Sequence, residues 1–218
     1  GFAASRGAIL CLLDSDDIAW PERVERLVEA FERWPRADWI RHRLAVVDAA
    51  RRPLGPVVPR LRERGPVPPV PERFVEGRVP ALTSALAFRR EIGERVFPIP
   101  TRVQAAGGAV SLVRDADAYL RYRLGAVGGR YGSLAAVLGE YRRHGAQQFG
   151  GRADLVPMLR RQTEVARALT AAFRDVVDRD LTPTTAFKHE AVIAALEGAP
   201  PWSAGRLGAA LRGWRRAL

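Results

Sequence analysis

The stretch Ala8-Ile9-Leu10-Cys11-Leu12-Leu13-Asp14-Ser15-Asp16-Asp17 decides how this chain is read. Ile9 to Leu13 are apolar without a break, the length and composition of a strand buried on both faces of a sheet. The run stops on three carboxylates within four positions. Open α/β sheets bind ligands at the carboxyl ends of their strands, so acids delivered there mark a candidate site. An Asp-x-Asp pair suits a hard divalent cation, which takes oxygen ligands and shares them with a substrate's phosphates. A strand end with a helix-capping Asp is the plainer alternative, but a cap needs one acid. Three crowded acids repel one another unless a cation or a basic partner offsets their charge. The metal reading is therefore preferred.

Composition narrows the class. A chain of 218 residues, 47% of them hydrophobic, suffices for one sizeable core, or a core with a helical appendage. Its net charge of +11 and pI of about 11.2 imply affinity for phosphates, polyanions or anionic lipid surfaces. Lys188 is nevertheless the one lysine among 35 basic residues, and the arginine pairs (Arg51-Arg52, Arg89-Arg90, Arg142-Arg143) are scattered and not interleaved with aromatics. That pattern argues against a nucleic-acid partner. A single cysteine, Cys11, leaves neither a disulfide framework nor a thiolate zinc site and fits a reducing cytoplasm. No stretch reaches the ~20 apolar residues of a membrane span, and no signal peptide is recognised. The chain opens without Met, a few residues before its first strand, and reads as a fragment lacking an N-terminal part.

Outward from the acids, Pro21 suits the first position of a helix and Glu22 its positive end. Val24, Leu27, Val28 and Phe31 then form an apolar face, closed by Pro35. Residues 38–48 alternate loosely and predict one or two strands, with His42 as an exposed strand residue between two arginines. Residues 53–80, dense in Pro and Gly and carrying Arg60, Arg62 and Arg64, predict a long irregular loop, either functional or disordered. Residues 79–90 read as a strand running into a helix start, Phe97-Pro98-Ile99-Pro100 as a proline-fixed turn, and 114–123 as helix. From Asp154 an apolar stripe runs from Leu155 to Val176, and a second helix is predicted over 185–196. The basic tail, 207–218, is amphipathic and suits either an anionic lipid surface or packing on the body; two glycines weaken a helix there.

With these residues in place, Gly1 to Asp17 resembles the centre of family 2 nucleotide-sugar glycosyltransferases of the GT-A fold. There a run of the type N-x-G-x-x-x-A-x-G-x-x-I-x-x-L-D-x-D-D carries the metal-binding DXD motif. Leu13 to Arg23 follows the family's L-D-S-D-D-x-x-x-P-x-R/K and Pro80 to Arg90 its P-x-x-S-x-x-x-F-R-R segment. Asp117 to Arg123 follows its D-x-x-L-x-x-R, and Leu138 to His144 its L-x-x-Y-R-x-H. The resemblance covers about two-thirds of the chain, Gly1 to Gly145. It implies an α/β, Rossmann-like GT-A domain, partial here, over residues 1–150, followed by a helical C-terminal extension over 151–218.

The resemblance also implies roles. Asp14, Asp16 and Asp17 fall at the cofactor-binding DXD, with Asp16 and Asp14 as ligands of Mn2+ or Mg2+. Arg142 falls towards the donor's diphosphate, and His144 towards the metal or the diphosphate. Thr83, Ser84 and Arg89 fall on the acceptor side, where the two hydroxyls serve either a sugar or the local turn. The catalytic base falls at Asp117, with Asp115 the second candidate because Ala116 stands where the family has an acid. The implied activity is inverting transfer of a sugar from a nucleotide-diphosphate sugar to a hydroxyl of a carbohydrate, lipid-linked or protein acceptor. Its setting would be bacterial cell-envelope polysaccharide biosynthesis, in the cytoplasm or peripherally on the inner face of the membrane. Two rivals stand beside it. A haloacid-dehalogenase-like phosphatase also puts D-x-D after a buried strand, but wants Thr or Val where Ile18 stands. A glycosyltransferase-like binding module without activity is the other, kept open by Arg114 and Ala116 around the candidate base.

Overall fold

Buried residues recur along both faces of Trp39–Asp48, and this ten-residue strand lies inside the sheet. The protein is represented by a computed structural model that describes residues 1–69, 82–105, 108–113, 115–144, 155–173 and 192–193. Six strands share one mixed sheet: β1 (Ile9–Cys11), β2 (Ile18–Ala19), β3 (Trp39–Asp48), β4 (Arg64–Val67), β5 (Leu86–Arg89) and β8 (Tyr131–Arg143). Their order is β1-β5-β3-β8-β2, with β4 also on β8. β3 and β8 run parallel and the other pairs antiparallel. A separate hairpin joins β6 (Arg102–Ala105) to β7 (Gly108–Ser111).

Four helices cover these strands. α1 (Arg23–Arg33) packs on one face of the sheet, where Leu27, Ala30 and Phe31 meet Ile40, Leu134 and Leu138. α2 (Arg90–Val96) and α3 (Ala116–Ala126) cover the other face, burying Ile92, Val96, Leu120 and Leu124 against Trp39, Phe88 and Tyr131. α4 (Leu155–Ala172) brings Val165, Ala168 and Leu169 against the hairpin and Tyr122 of α3. The domain boundary expected near 150 lies outside the described residues, as do most of the predicted second helix and all of the basic tail.

Several expectations are corrected. The five-residue buried strand is a three-residue one at the sheet's edge: β1 pairs only with β5 among the described strands, and Leu13 is exposed. Its ladder gives way because the chain turns towards the acids, with the Leu12 carbonyl taken by the Arg23 guanidinium (2.6 Å). That pull rotates α1. Arg23 is buried, while Val24 and Val28, expected on the apolar face, point outward. Residues 38–48 form a single strand, and His42 is fully buried rather than exposed, because β3 is enclosed on both sides. The irregular loop contains β4 and two bridges to β3, Leu44 with Val58 and Val47 with Pro53; residues 70–80 of it lie outside the described region. The thirteen-residue β8 carries the Tyr-Arg segment.

Candidate active site

The acids sit on the turn between β1 and β2, closed by the Asp17 amide donating to the Asp14 carbonyl (3.2 Å). β2 then pairs with the far end of β8, Ile18 opposite Glu140 and Ala19 opposite Gly139. This short ladder brings together two segments more than 120 residues apart in sequence. The Arg142 amide donates to Asp17 Oδ1 (3.0 Å). Two residues further on, His144 Nε2 lies 3.2 Å from Asp16 Oδ2. Gly139 makes the approach feasible: a Cβ there would lie 2.5 Å from the Ile18 carbonyl oxygen.

The third contributor is the N-terminus of α3. Asp117 lies in its first turn and faces the same cleft as Asp14, Asp16 and Asp17. The cleft holds about 440 Å3, and Thr83 and Tyr141 complete its polar lining. Asp115, two residues before, is at the N-cap and turned inward: it is buried and accepts hydrogen bonds from Arg161 Nε (3.1 Å) and Nη2 (3.0 Å) on α4. Of the two base candidates, only Asp117 lines the cleft.

The expected acceptor-side residues separate in the same way. Thr83 lines the cleft. Ser84 is buried behind it, and its Oγ accepts the Asp14 amide (2.9 Å). Arg89 lies elsewhere, donating to the carbonyls of Ala37 (2.9 Å) and Phe31 (3.1 Å) and stacking over the Phe31 ring, where it closes the end of α1. Arg142 reaches the site through its backbone, on the strand beside Asp17.

Electrostatics follow from this crowding. Burial pushes the Asp14 carboxyl above the usual carboxylate range, and Asp17, Asp16 and Asp117 push it further, against a hydrogen bond from Ser84. Asp17 is raised by burial too, countered by Ser84 and the Arg142 amide. Tyr141 is likewise raised, by burial and then by the neighbouring acids. Tyr141 is the polar lining residue that sequence reasoning did not single out, although it stands inside the Tyr-Arg-x-His segment. Arg23 and His42 are buried near one another, His42 against the expectation of an exposed strand residue.

Does this arrangement suit a divalent ion? Two ligands ~2.1 Å from one octahedral ion lie ~3 Å apart, and Asp16 and His144 are separated by 3.2 Å. Among the described residues no three His, Cys, Asp or Glu side chains form a group able to hold a metal by themselves. Mg2+ commonly needs only one or two protein carboxylates when substrate phosphates and water fill the remaining positions. The residues fit an ion that is shared with a phosphate-bearing ligand.

Comparison with known proteins agrees with this architecture. No family model matches the chain. Over 110 residues the chain is 30% identical to an uncharacterized glycosyltransferase of Nostoc sp., a stretch covering 45% of this chain and 31% of that protein. Among solved structures, the crystal structure of S. aureus TarS 1–349 superposes with a TM-score of 0.51 at 13% identity, covering 88% of this chain and 47% of that one. The chain thus spans less than half the length of either. No helix among the described residues is long and apolar enough to cross a membrane. The likeness to the TarS structure shows the α/β fold, a mixed sheet with helices on both faces, and the partial sequence similarity is to a glycosyltransferase.

Proposed function

We propose that this chain belongs to a metal-dependent, inverting glycosyltransferase that moves a sugar from a nucleotide-diphosphate donor to an acceptor hydroxyl. One observation carries the reading: Asp14, Asp16, Asp17 and Asp117 meet on one cleft, with His144 against Asp16. Asp16 and His144, with Asp14 beside them, would hold Mn2+ or Mg2+ together with the donor's phosphate oxygens. Bound there, the ion supplies Lewis-acid neutralisation of the charge on the departing diphosphate. The Arg142 guanidinium, whose charge already acts on Asp17, would add to the neutralisation of the same phosphates. Asp117 accepts the proton of the acceptor hydroxyl while that oxygen bonds to the anomeric carbon and the bond from this carbon to the diphosphate oxygen breaks. Attack on the face opposite the leaving group inverts the anomeric centre. Thr83 and Tyr141 orient the sugars, and the free Cys11 fits a reducing cytoplasm.

Calorimetric titration of Mn2+ in the presence of nucleoside diphosphates tests the assignment. Asp16→Ala and His144→Ala should each weaken Mn2+ binding about tenfold or more, with loss of metal-stimulated release of nucleoside diphosphate from UDP-, GDP- or dTDP-sugars. Unchanged Mn2+ affinity in both variants would refute the ligand pair. Metal-dependent nucleotide binding without any turnover would favour the inactive binding module instead.

A further inference from the structure

Asp115 occupies the N-cap position of α3, where an aspartate ordinarily accepts an amide of the helix's own first turn. Here its side chain makes no capping bond. It is buried and turned to α4, where Arg161 donates to its Oδ2 from Nε (3.1 Å) and Nη2 (3.0 Å). The same Nη2 donates to the Ser111 carbonyl at the end of β7, and Nη1 donates to Glu164 Oε2 (3.0 Å) one turn along α4. One guanidinium thus grips both ends of the short connection between β7 and α3. We infer that Arg161 is a positioning residue for the proton acceptor Asp117. Through it α4, which lies beyond Gly145 where the family resemblance ends, takes part in the transfer step. The inference rests on the glycosyl-transfer reading and adds to it a residue that acts through Asp115.

Three observations lead there. The connection has little slack: the Leu112 amide donates to the Thr101 carbonyl (2.7 Å) and the Asp115 amide to the Leu112 carbonyl (3.0 Å). Asp117 follows two residues later, in the first turn of α3, which the Tyr119 amide closes on the Asp115 carbonyl (3.2 Å). The residue that Arg161 holds is therefore the one whose carbonyl starts the helix carrying the base. Second, α4 is a firm anchor. Val165, Ala168 and Leu169 are buried against the hairpin and Tyr122, and Phe173 packs on the rings of Tyr119 and Tyr122 (centroids 5.6 and 6.3 Å apart). Third, the planar fork of a guanidinium fixes direction as well as distance, so Asp115 is held in one orientation. Proton transfer needs that precision, because a base must come within about 2.6–3.2 Å of the atom it deprotonates.

The test is metal-dependent hydrolysis of UDP-, GDP- or dTDP-sugars by the full chain, with water in the acceptor's place. The water oxygen bonds to the anomeric carbon, its proton passes to Asp117, and the bond to the diphosphate oxygen breaks. Arg161→Met and Arg161→Lys are each made alone and together with Asp117→Asn. Arg161→Met should lower kcat about tenfold or more while donor KM and Mn2+ affinity stay within about twofold. Arg161→Lys keeps a charge and a donor and should lower kcat only about threefold. In the Asp117→Asn background Arg161→Met should cost less than about twofold in kcat, because the group it positions is already gone. Exchange of the Tyr119 amide should speed up in both backgrounds. An equal loss of kcat with and without Asp117, or a loss that falls on donor KM, overturns the positioning role and leaves Arg161 a structural ion pair. Should Arg161→Met fail to fold, Arg161→Lys carries the same cycle and is judged by the same criterion. A wild-type chain that releases no nucleoside diphosphate from any of the three donor classes removes the transfer reading, and the positioning role with it.

Discussion

Acidification should destabilise this protein through His42. The ring is fully buried on β3, and its Nδ1 lies 2.8 Å from the Arg43 carbonyl oxygen. A carbonyl can only accept, so Nδ1 carries the hydrogen and Nε2 is a bare acceptor, without a hydrogen-bond partner among the described residues. Burial holds the ring's pKa down to about 4, the Arg43 carbonyl works the other way, and the charge of Arg23 lowers it further. Because the unfolded value is ~6.5, the unfolded chain binds the extra proton first. Stability from this residue is complete above the unfolded pKa and is lost as pH falls from there towards the folded value. Between pH 7 and 5 the linkage amounts to about 2 kcal/mol, or ~0.6 M in a urea midpoint at ~3 kcal/mol per M. The assay is urea unfolding at several pH values for the wild type and His42→Leu, read as the difference between them. Effects of Asp14, Asp17 and the other carboxylates are common to both proteins and cancel. The variant loses the bond to Arg43 and starts less stable, but its deficit should shrink as pH falls. Parallel curves from pH 7 to pH 5 would refute the buried neutral histidine.

The base assignment predicts that Asp117→Asn loses ~10²-fold in turnover while donor affinity is retained, measured by steady-state kinetics and nucleotide titration. Asp115→Asn should instead lower stability by ~1–3 kcal/mol in denaturant unfolding, since Arg161 loses its buried partner, with a smaller effect on turnover. Asp14→Asn should raise the melting midpoint of the metal-free protein at pH 7, where the crowded carboxylate is held above its usual range, and this gain should vanish below about pH 4. Gly139→Ala places a Cβ against the Ile18 carbonyl oxygen and should break the β2–β8 pairing, seen as lost amide protection at Trp20 and as weakened Mn2+ binding.

The parts legible in the sequence are those whose signal is local. Asp14, Asp16 and Asp17 stand out because like charges this close need an outside reason, and the apolar residues before them are a strand signal within a few positions. The four ordered motifs carried the family resemblance, and through it the α/β expectation that the mixed sheet meets. What escaped the sequence depends on tertiary placement. His42 lies between arginines and so looks exposed, yet Arg41 turns to Ser133 and Arg43 to the Leu61 carbonyl, leaving His42 facing the interior of an enclosed strand. The apolar face of α1 is displaced because Arg23 is drawn under the acids by one carbonyl, an attraction no hydrophobic periodicity records. Asp115 and Asp117 are equivalent by composition. Only the start of α3 and the arrival of Arg161 from forty-six residues downstream tell them apart.

The acid cluster also explains why so much of the surrounding structure is polar yet hidden. Left alone, three partly enclosed carboxylates would spread the turn between β1 and β2 apart. Each is tied to a different element instead: Asp14 through its amide to Ser84 before β5, Asp17 to the Arg142 amide on β8, and Asp16 to His144 just beyond it. Two of these ties bring no full charge, since Ser84 Oγ accepts the Asp14 amide and the Arg142 amide donates to Asp17. Arg23, buried near the turn, donates to the Leu12 carbonyl, which fixes where the strand ends and the acids begin. Asp14 and Asp17 nevertheless stay raised above the usual carboxylate range, so a counter-charge arriving with a ligand would relieve the turn, and there stability and function pull in opposite directions.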